Sequence, residues 1–494
     1  MKSHVLAVDA GTTGITCLVV DDGGAVVGRG YREFAQHFPQ PGWVEHDPRD
    51  WLAGLCAAAR DAIAESRVRP AAMGLTNQRE TIVVWDRATG DPVHNALVWQ
   101  DRRTAERARA LRETDAPRIA RITGLLPDPY FSATKLEWLV REQHLLQRFS
   151  PDQLAAGTVD AWLVWQLTGG RVHATDPTNA SRTMLFDIDR RAWSRELCDL
   201  FGVPVGMLPE VRASCGDFGI AGARWFGLEL PITGVAGDQQ AALFGQGCWT
   251  VGAGKNTYGT GAFLLTNAGE KRPEAAQASG VLTTLACDAN GHAVYALEGA
   301  ILVAGAAVQW LRDGLGILER ADETAAMARS LASNDGVYFV PALTGLGAPQ
   351  WEPRARGTIV GLTRGTTRAH LARAALEAMA FSTADVVDAM SKAGAARPDC
   401  LRVDGGATQN DWLMQFQADV LEMPVERPSM IETTALGAAA LAGLAAGVWS
   451  DPAAFLATRS FKRFEPRMKA GDARALRRGW NRAMRAAIDW ATDE

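Results

Sequence analysis

The 494-residue sequence lacks the features of several protein classes. It contains no long basic run, and its 51 Lys and Arg against 56 Asp and Glu leave a formal net charge of −5. A nucleic-acid partner and a polybasic membrane surface are therefore not expected. Its seven cysteines are scattered and never spaced as Cys-x-x-Cys. This scatter excludes a zinc ribbon and a disulfide framework, and it indicates a reducing compartment.

Long apolar runs are also missing. Only four apolar residues separate His4 from Asp9, too few for the apolar core of a signal peptide. The longest apolar stretch, residues 435–449, consists mostly of Ala and Gly and is shorter than the roughly 20 residues that span a bilayer. We therefore expect this stretch to form a close-packed core helix, and we expect a cytoplasmic protein without stable membrane insertion.

The patterns that are present begin with a strand, a turn and a second strand. Apolar residues 5–8 and 17–20 flank a turn at 9–14, and a third short strand is expected at 25–27. A similar block begins after the middle of the chain, where residues 254–267 predict a turn-rich loop that leads into a strand.

Strands and helices remain mixed in the second half of the chain. Near its end, strand 401–403 runs into an Asp-Gly-Gly turn, and a helix is expected from about Asn410. Two successive blocks of this kind predict an α/β architecture with two domains. We place these domains at residues 1–247 and 248–494.

Several common catalytic motifs fail to match. Gly254-Lys255 resembles part of a phosphate-binding P-loop, but Trp249 and Asn256 stand where the full pattern needs Gly and Ser or Thr. The histidines form no His-Glu-x-x-His pair, and no Gly-x-Ser-x-Gly nucleophile motif is present. Zinc-dependent and serine-nucleophile hydrolysis are therefore not expected.

Two glycine-containing turns are candidates for phosphate binding. Asp9 ends the first strand and precedes a Gly-Thr-Thr turn, in which Thr12 and Thr13 offer backbone N–H groups and hydroxyls to an anion. The carboxylate of Asp9 is suited to hold a hydrated Mg²⁺ beside them. Thr260, between two glycines, predicts a second phosphate clamp. The alternative for each motif is an ordinary turn at the end of a strand.

Further glycines are suited to a nucleoside. Gly406 precedes Asn410 by four residues and could form a wall against a purine, while Gly305 and Gln309 would share one helix face. Close helix packing is the alternative explanation for each glycine. Three motifs follow one another along the chain: the strand–turn–strand at Asp9, the Gly-Thr-Gly loop at Thr260 and the Asp-Gly-Gly turn at Gly406. Their order resembles that of the actin and hexokinase type of ATPase, in which two ribonuclease H-like α/β domains clamp ATP in the cleft between them.

Longer stretches identify a family. The sequence resembles the FGGY carbohydrate kinases, and within them the members that phosphorylate glycerol, from Val5 to about Trp449. The most specific stretches are residues 36–48, 76–81, 99–104, 128–132, 178–184, 237–240 and 345–349. This resemblance implies ATP-dependent phosphorylation of glycerol to sn-glycerol 3-phosphate, and a homo-oligomer of two or four copies.

The resemblance also implies a polyol pocket, with Asp238 as the general base. Its residues are Arg79, Glu80, Trp99, Tyr130, Asp238, Gln239 and Phe263. Carboxylates and amides suit the hydroxyls of a triol, and the aromatic rings suit its carbon chain. Because adjacent strand residues point to opposite faces, Arg79 and Glu80 both reach one ligand only at a strand end or bulge.

The nucleotide side follows from the same resemblance. Mg²⁺ is implied between the phosphates of ATP and the region of Asp9 and Asp238. The residues implied at the phosphates are Thr12, Thr13 and Thr260, and those at the nucleoside are Gly305, Gln309, Gly406 and Asn410.

Three features depart from the family pattern. Ala10 replaces a Gln, and Thr16 replaces an Arg that contacts phosphate. Residues 219–227 lack the lysine-bearing loop with which some members bind fructose 1,6-bisphosphate, and they contain no histidine for phosphorylation. Two alternatives stay open: a kinase for another small polyol or ketose, and a non-catalytic actin-like regulator.

Overall fold

A computed structural model describes residues 3–492 of the chain. The strands of its first half are β1 (His4–Ala10), β2 (Gly14–Asp21), β3 (Val26–Glu33), β4 (Glu45–His46), β5 (Ala72–Asn77), β6 (Ile82–Asp86), β7 (Ala96–Leu97), β8 (Leu154–Thr158), β9 (Ala174–Thr175), β10 (Phe186–Asp187), β11 (Ala192–Trp193), β12 (Glu210–Val211), β13 (Ile220–Ala221) and β14 (Leu230–Gly237). Those of its second half are β15 (Gly254–Tyr258), β16 (Ala262–Gly269), β17 (Leu282–Cys287), β18 (Ala293–Ile301), β19 (Tyr338–Val340), β20 (Thr358–Val360), β21 (Leu401–Asp404), β22 (Val425–Pro428) and β23 (Phe461–Phe464).

The α-helices lie between these strands. They are α1 (Pro48–Ser66), α2 (Ala105–Thr114), α3 (Ala116–Thr123), α4 (Ser132–Glu142), α5 (Leu145–Arg148), α6 (Val159–Leu167), α7 (Pro177–Ala180), α8 (Arg195–Phe201), α9 (Ala223–Phe226), α10 (Asp238–Gly245), α11 (Gly305–Gln309), α12 (Glu323–Arg329), α13 (Arg368–Lys392), α14 (Asp411–Leu421), α15 (Thr433–Ala445), α16 (Pro452–Ala457) and α17 (Ala470–Thr492). None of the helices within residues 3–492 combines the length and apolar character that a membrane crossing requires.

The first large sheet has the order β13-β14-β5-β1-β2-β3. Strands β1, β2 and β3 are antiparallel, as the predicted strand–turn–strand pattern indicated, whereas β5 and β14 run parallel to β1. Helix α1 packs on this sheet through the buried Trp51 and Leu55. Its start is fixed by Asp47, whose Oδ1 accepts a hydrogen bond from the Arg49 N–H (2.9 Å), and by Pro48 at the first helical position.

The second large sheet repeats this arrangement, with the order β17-β18-β16-β15-β21-β22-β23. Strands β15 and β16 form an antiparallel hairpin, and β21 and β22 run parallel to β15. The turns at residues 11–13 and 259–261 therefore occupy equivalent places in the two sheets. The turn-rich loop predicted inside 254–267 is shorter than expected, because residues 256–258 pair with β16 as part of β15.

Helix α15 covers the first sheet although it comes from the second half of the chain. The core helix expected at 435–449 is confirmed, although it ends at Ala445. It packs on β1, β5, β14 and α10. Gly437 allows the close approach, because a Cβ there would lie only 1.8 Å from the carbonyl oxygen of Ala241 in α10. The division of the chain at residue 247 stays a prediction.

Candidate active site

Arg79 and Glu80 lie just after β5, from which Gln78 alone separates them. Glu80 has a φ of 63°, in the left-handed region, and the Thr81 N–H donates to the carbonyl of Arg79 (2.8 Å). This tight turn allows two adjacent side chains to face one space. The expectation that the pair lies at the end of a strand is confirmed.

Asp238 and Gln239 lie at the same edge of the sheet. Strand β14 ends at Gly237 beside the end of β5, and α10 begins at Asp238. Asp238 Oδ1 lies 3.2 Å from Arg79 Nε. A Cβ on Gly237 would lie 2.7 Å from Arg79 Cγ, so glycine leaves the space that the arginine occupies. The parallel pairing of the two strands thus brings the candidate base to the candidate polyol residues.

Beneath this edge lies a buried network of four charged side chains. Glu298 on β18 accepts from Arg79 Nη1 (2.6 Å) and from Arg182 Nη2 (2.7 Å), and Arg182 Nε donates to Glu80 Oε1 (2.7 Å). Each of the four side chains is at most 2% exposed. Burial alone would raise the pKa of Glu298, but the two guanidinium groups hold it below its ordinary value. The network fixes Arg79 and Glu80 with balanced charge.

Two members of this network were not predicted as site residues. Arg182 lies inside the specific stretch 178–184, which was a signal for it, whereas no local pattern marks Glu298. Its partner Arg79 lies 219 positions away in the sequence.

The aromatic polyol candidates Trp99 and Tyr130 lie beside the first candidate phosphate turn. The rings of Trp99 and Tyr130 meet edge to face with centroids 5.7 Å apart, and Trp99 Nε1 donates to Thr12 Oγ1 (3.0 Å). Arg79 Nη2 lies 3.4 Å from the Tyr130 hydroxyl. Phe263, on β16, is partly buried. The structure therefore brings Thr12 to the polyol residues through one indole hydrogen bond.

Lys255 is a further residue that sequence reasoning missed. In the sequence it stands only in an incomplete P-loop pattern, but in the structure it lies within β15 and its side chain is buried. Its Nζ donates to Gln239 Oε1 (2.5 Å), Thr257 Oγ1 (2.7 Å) and the carbonyl of Phe263 (3.3 Å). The lysine therefore joins two candidate polyol residues, Gln239 in α10 and Phe263 in β16.

Asp9 is the penultimate residue of β1, which ends one position later than expected, and is partly buried. Burial and the nearby Asp238 carboxylate raise the pKa of Asp9 to about 7. Thr16 lies directly opposite Asp9 in the β1–β2 register, so the departure from Arg falls beside the phosphate turn. Thr13 is exposed at the tip of that turn, and Ala10 is buried.

The candidate nucleoside residues gather near the turn between β15 and β16, which carries Thr260. Gly305 begins α11, and a Cβ there would lie 2.6 Å from a carbonyl oxygen of this turn. Gly405, with a φ of 90°, approaches Tyr258 so closely that a Cβ would lie 2.3 Å from its carbonyl oxygen. Gly406 follows as exposed backbone.

Asn410 and Gln309 complete this second group. Asn410 caps α14 by accepting from the Leu413 N–H (3.1 Å), and its Nδ2 lies 3.4 Å from Thr324 Oγ1. Gln309 is exposed at the end of α11. Within residues 3–492, no hydrogen bond or ion pair links the four nucleoside candidates directly to the polyol residues. The polyol candidates, by contrast, are linked to one another by ion pairs, hydrogen bonds through Lys255 and ring contacts.

The chain is similar to known proteins over nearly its whole length. The description "FGGY family of carbohydrate kinases, N-terminal domain" matches residues 4–245, and that of the C-terminal domain matches residues 254–446. A glycerol kinase of Dechloromonas aromatica is 51% identical over 99% of this chain and 98% of its own length. Glycerol kinase 2 of Thermotoga maritima is 50% identical over 99% of both chains.

A solved structure matches equally completely. The crystal structure of Plasmodium falciparum glycerol kinase with ADP superposes with a TM-score of 0.92 and 35% identity, covering 98% of both chains. The predicted two-domain α/β fold is confirmed by this match. The two family descriptions, which together cover most of the sequence, and the full-length relatives lead to one conclusion: the chain belongs to the FGGY family of carbohydrate kinases.

Proposed function

We propose that this chain catalyses the ATP-dependent phosphorylation of glycerol to sn-glycerol 3-phosphate. The observation that carries the proposal is the 51% identity to a glycerol kinase over 99% of the chain. The polyol set agrees with it, because the guanidinium of Arg79 lies beside two carboxylates and beside the paired rings of Trp99 and Tyr130. Such a pocket suits a small triol, whose hydroxyl groups both donate and accept hydrogen bonds while its carbon chain is apolar.

Asp238 is the general base of the proposed reaction. A terminal hydroxyl of glycerol attacks the γ-phosphorus of ATP, a new O–P bond forms, and the bond to the ADP oxygen breaks. The hydroxyl proton passes to the Asp238 carboxylate. Arg79 Nε, 3.2 Å from Asp238 Oδ1, orients that carboxylate. Burial raises the pKa of Asp238 and the charge of Arg79 opposes this rise, which suits a carboxylate that takes up a proton during the reaction.

The phosphates of ATP are assigned to Thr12, Thr13 and Thr260, on the equivalent turns of the two sheets. The nucleoside is assigned to Gly305, Gln309, Gly406 and Asn410. These roles rest on the resemblance and on the open backbone of Gly406, where an added Cβ would meet no atom within 4 Å. Glycine there leaves room for a flat ring.

Mg²⁺ is part of the proposal. Asp9 and Asp238 present carboxylate oxygens, the ligands that Mg²⁺ prefers, and the Asp238 charge disfavours ionisation of Asp9 in its absence. Within residues 3–492, no cluster of three or more acidic, histidine or cysteine side chains forms an all-protein metal site. This donor set fits an ion held largely through water and phosphate oxygens. When bound, the ion would neutralise charge on the transferring phosphoryl group.

Two properties of the whole protein belong to the same proposal. A cytoplasmic location is supported by the seven cysteines, all of which are free. An assembly of two or four copies is supported by the family resemblance.

One assay tests the proposed function against its alternatives. ADP release is measured with glycerol, with other polyols and ketoses, and with no acceptor, and the product is identified with an sn-glycerol 3-phosphate dehydrogenase. Glycerol-dependent release with the correct product is the expected result. Turnover only with another sugar would indicate a different FGGY kinase, and ADP release that no acceptor stimulates would indicate an actin-like ATPase.

A further inference from the structure

Lys255 is a buried cation to which the proposed reaction gives no role. Its Nζ lies within hydrogen-bond distance of three oxygens: Gln239 Oε1 at 2.5 Å, Thr257 Oγ1 at 2.7 Å and the Phe263 carbonyl at 3.3 Å. An ammonium group has three N–H donors and no acceptor. Each donor therefore has one oxygen, and the side chain is held in a single position.

The contact with Gln239 fixes the direction of its amide. Because an ammonium group only donates, the amide atom 2.5 Å away is the carbonyl oxygen and not the nitrogen. Burial lowers the pKa of Lys255 to about 8, while the charge of Asp404 opposes this decrease. The Gln239 side chain also donates a hydrogen bond toward the adjacent Asp238 carboxylate, which only Nε2 can do. The second N–H group of this partly buried amide is left for a ligand.

The same cation binds a second polyol candidate, Phe263. Lys255 and Thr257 lie on one face of β15, and Thr257 pairs with Phe263 in the β15–β16 register. Lys255 also binds the carbonyl of Phe263. One buried side chain therefore sets the position of the amide at the start of α10 relative to the ring on β16.

We infer that Lys255 is a positioning residue that sets substrate selection: it locks the Gln239 amide so that Nε2 faces the polyol as a donor. This inference rests on the proposed function. Glu80 and Asp238 accept hydrogen bonds from hydroxyl groups, so the lone pairs of the hydroxyl oxygens need donors, which Arg79 and Gln239 Nε2 supply. A flipped amide would present an acceptor and would lose this bond.

The first test uses Lys255→Met, with Lys271→Met at an exposed lysine as the matched control. The expected result is a rise of about tenfold in KM for glycerol, the effect of losing one hydrogen bond, with less than a twofold change in KM for ATP. The ratio of kcat/KM for glycerol to that for propane-1,2-diol or propane-1,3-diol should decrease, because the site no longer makes the hydrogen bond to the hydroxyl group that glycerol has and the diols lack. The control should match the wild type in all three quantities.

Two further variants exclude a general loss of structure. Lys255→Met added to Gln239→Leu should raise KM for glycerol less than twofold, and a full tenfold additional rise would overturn the inference. Gln239→Glu keeps an acceptor for Lys255 but removes the Nε2 donor, and it should lose the same selectivity between glycerol and the diols even where Lys255→Met fails to fold. Wild-type selectivity in Gln239→Glu would also overturn it. Wild-type turnover of glycerol tests the proposed function separately, in the same assay.

Discussion

The two halves of the candidate site are built in different ways. On the polyol side, four side chains are almost fully buried and linked by ion pairs: Arg79, Glu80, Arg182 and Glu298. On the nucleotide side, Gly406 and Gln309 are exposed, and the surface is formed largely by turns and helix starts. Side-chain ion pairs therefore hold the geometry of the polyol side, whereas the backbone forms most of the nucleotide side.

This difference explains where the sequence departs from its family. A polyol pocket whose side chains depend on one another tolerates few changes, because removal of one charge leaves another buried without a partner. A phosphate site made of backbone N–H groups keeps its geometry when a nearby side chain changes. Ala10 and Thr16, the departures in the candidate active site, lie in β1 and β2, the strands that flank the first candidate phosphate turn.

The largest effect is expected at the chemical step. Asp238→Asn removes the proton acceptor but keeps the size of the side chain, and kcat should decrease by about 10²–10⁴-fold. ADP release with saturating glycerol measures it, and circular dichroism checks the fold. Asp199→Asn, at an exposed aspartate, is the control and should leave kcat unchanged. A near wild-type rate in Asp238→Asn would refute the assignment of the base.

The buried network should dominate stability on the polyol side. Glu298→Gln leaves Arg79 and Arg182 without their shared counter-charge, and the free energy of unfolding should decrease by about 3–5 kcal/mol. Glu196→Gln, which breaks an exposed ion pair with Arg118, should cost less than about 1 kcal/mol. Urea unfolding followed by tryptophan fluorescence compares the two variants. Equal losses would mean that the buried network does not hold the pocket.

The nucleotide side should accept a new side chain. Thr16→Arg places a cation opposite Asp9 beside the phosphate turn, and it should lower the apparent KM for ATP by about tenfold while hardly changing that for glycerol. Thr16→Gln supplies length without charge and should leave both constants near their wild-type values. Initial rates at varied ATP and glycerol give the comparison. Loss of turnover in Thr16→Arg would show that this side is also tightly packed around a small residue.

Local patterns in the sequence predicted the parts of the site that local structure determines. The turn after Asp9 follows from neighbouring residues, and the structure has it between β1 and β2. The strand end at Arg79 and Glu80 was expected only because the resemblance assigns both side chains to one ligand, and the structure has the pair in a turn after β5. Lys255 was missed because a motif search compares only adjacent positions. Its partner Gln239 lies 16 residues away on a helix, and that distance closes only in the folded chain.

Glu298 shows the same limit more strongly. A glutamate in an apolar strand predicts no particular partner, and the two arginines that neutralise it come from distant segments of the first half of the chain.

The predicted loop near residue 256 is too long for a related reason. Polar residues 256–258 suggested a turn, but their strand is buried between two others, where polar side chains find tertiary partners such as Thr383.

The smallest effect is expected outside the site. Residues 219–227 fold into β13 and α9, and their one cation, Arg224, stacks on Trp225 (4.4 Å) and lies 3.4 Å from the Gln166 carbonyl oxygen. No lysine is present to bind a sugar bisphosphate, so fructose 1,6-bisphosphate at millimolar concentration should leave the rate with glycerol unchanged. Sodium sulfate at equal ionic strength controls for screening. A saturable loss of activity that sulfate does not reproduce would show that another basic surface binds this effector. Side chains would then determine ligand binding in a second region of the molecule, as they do in the proposed polyol pocket.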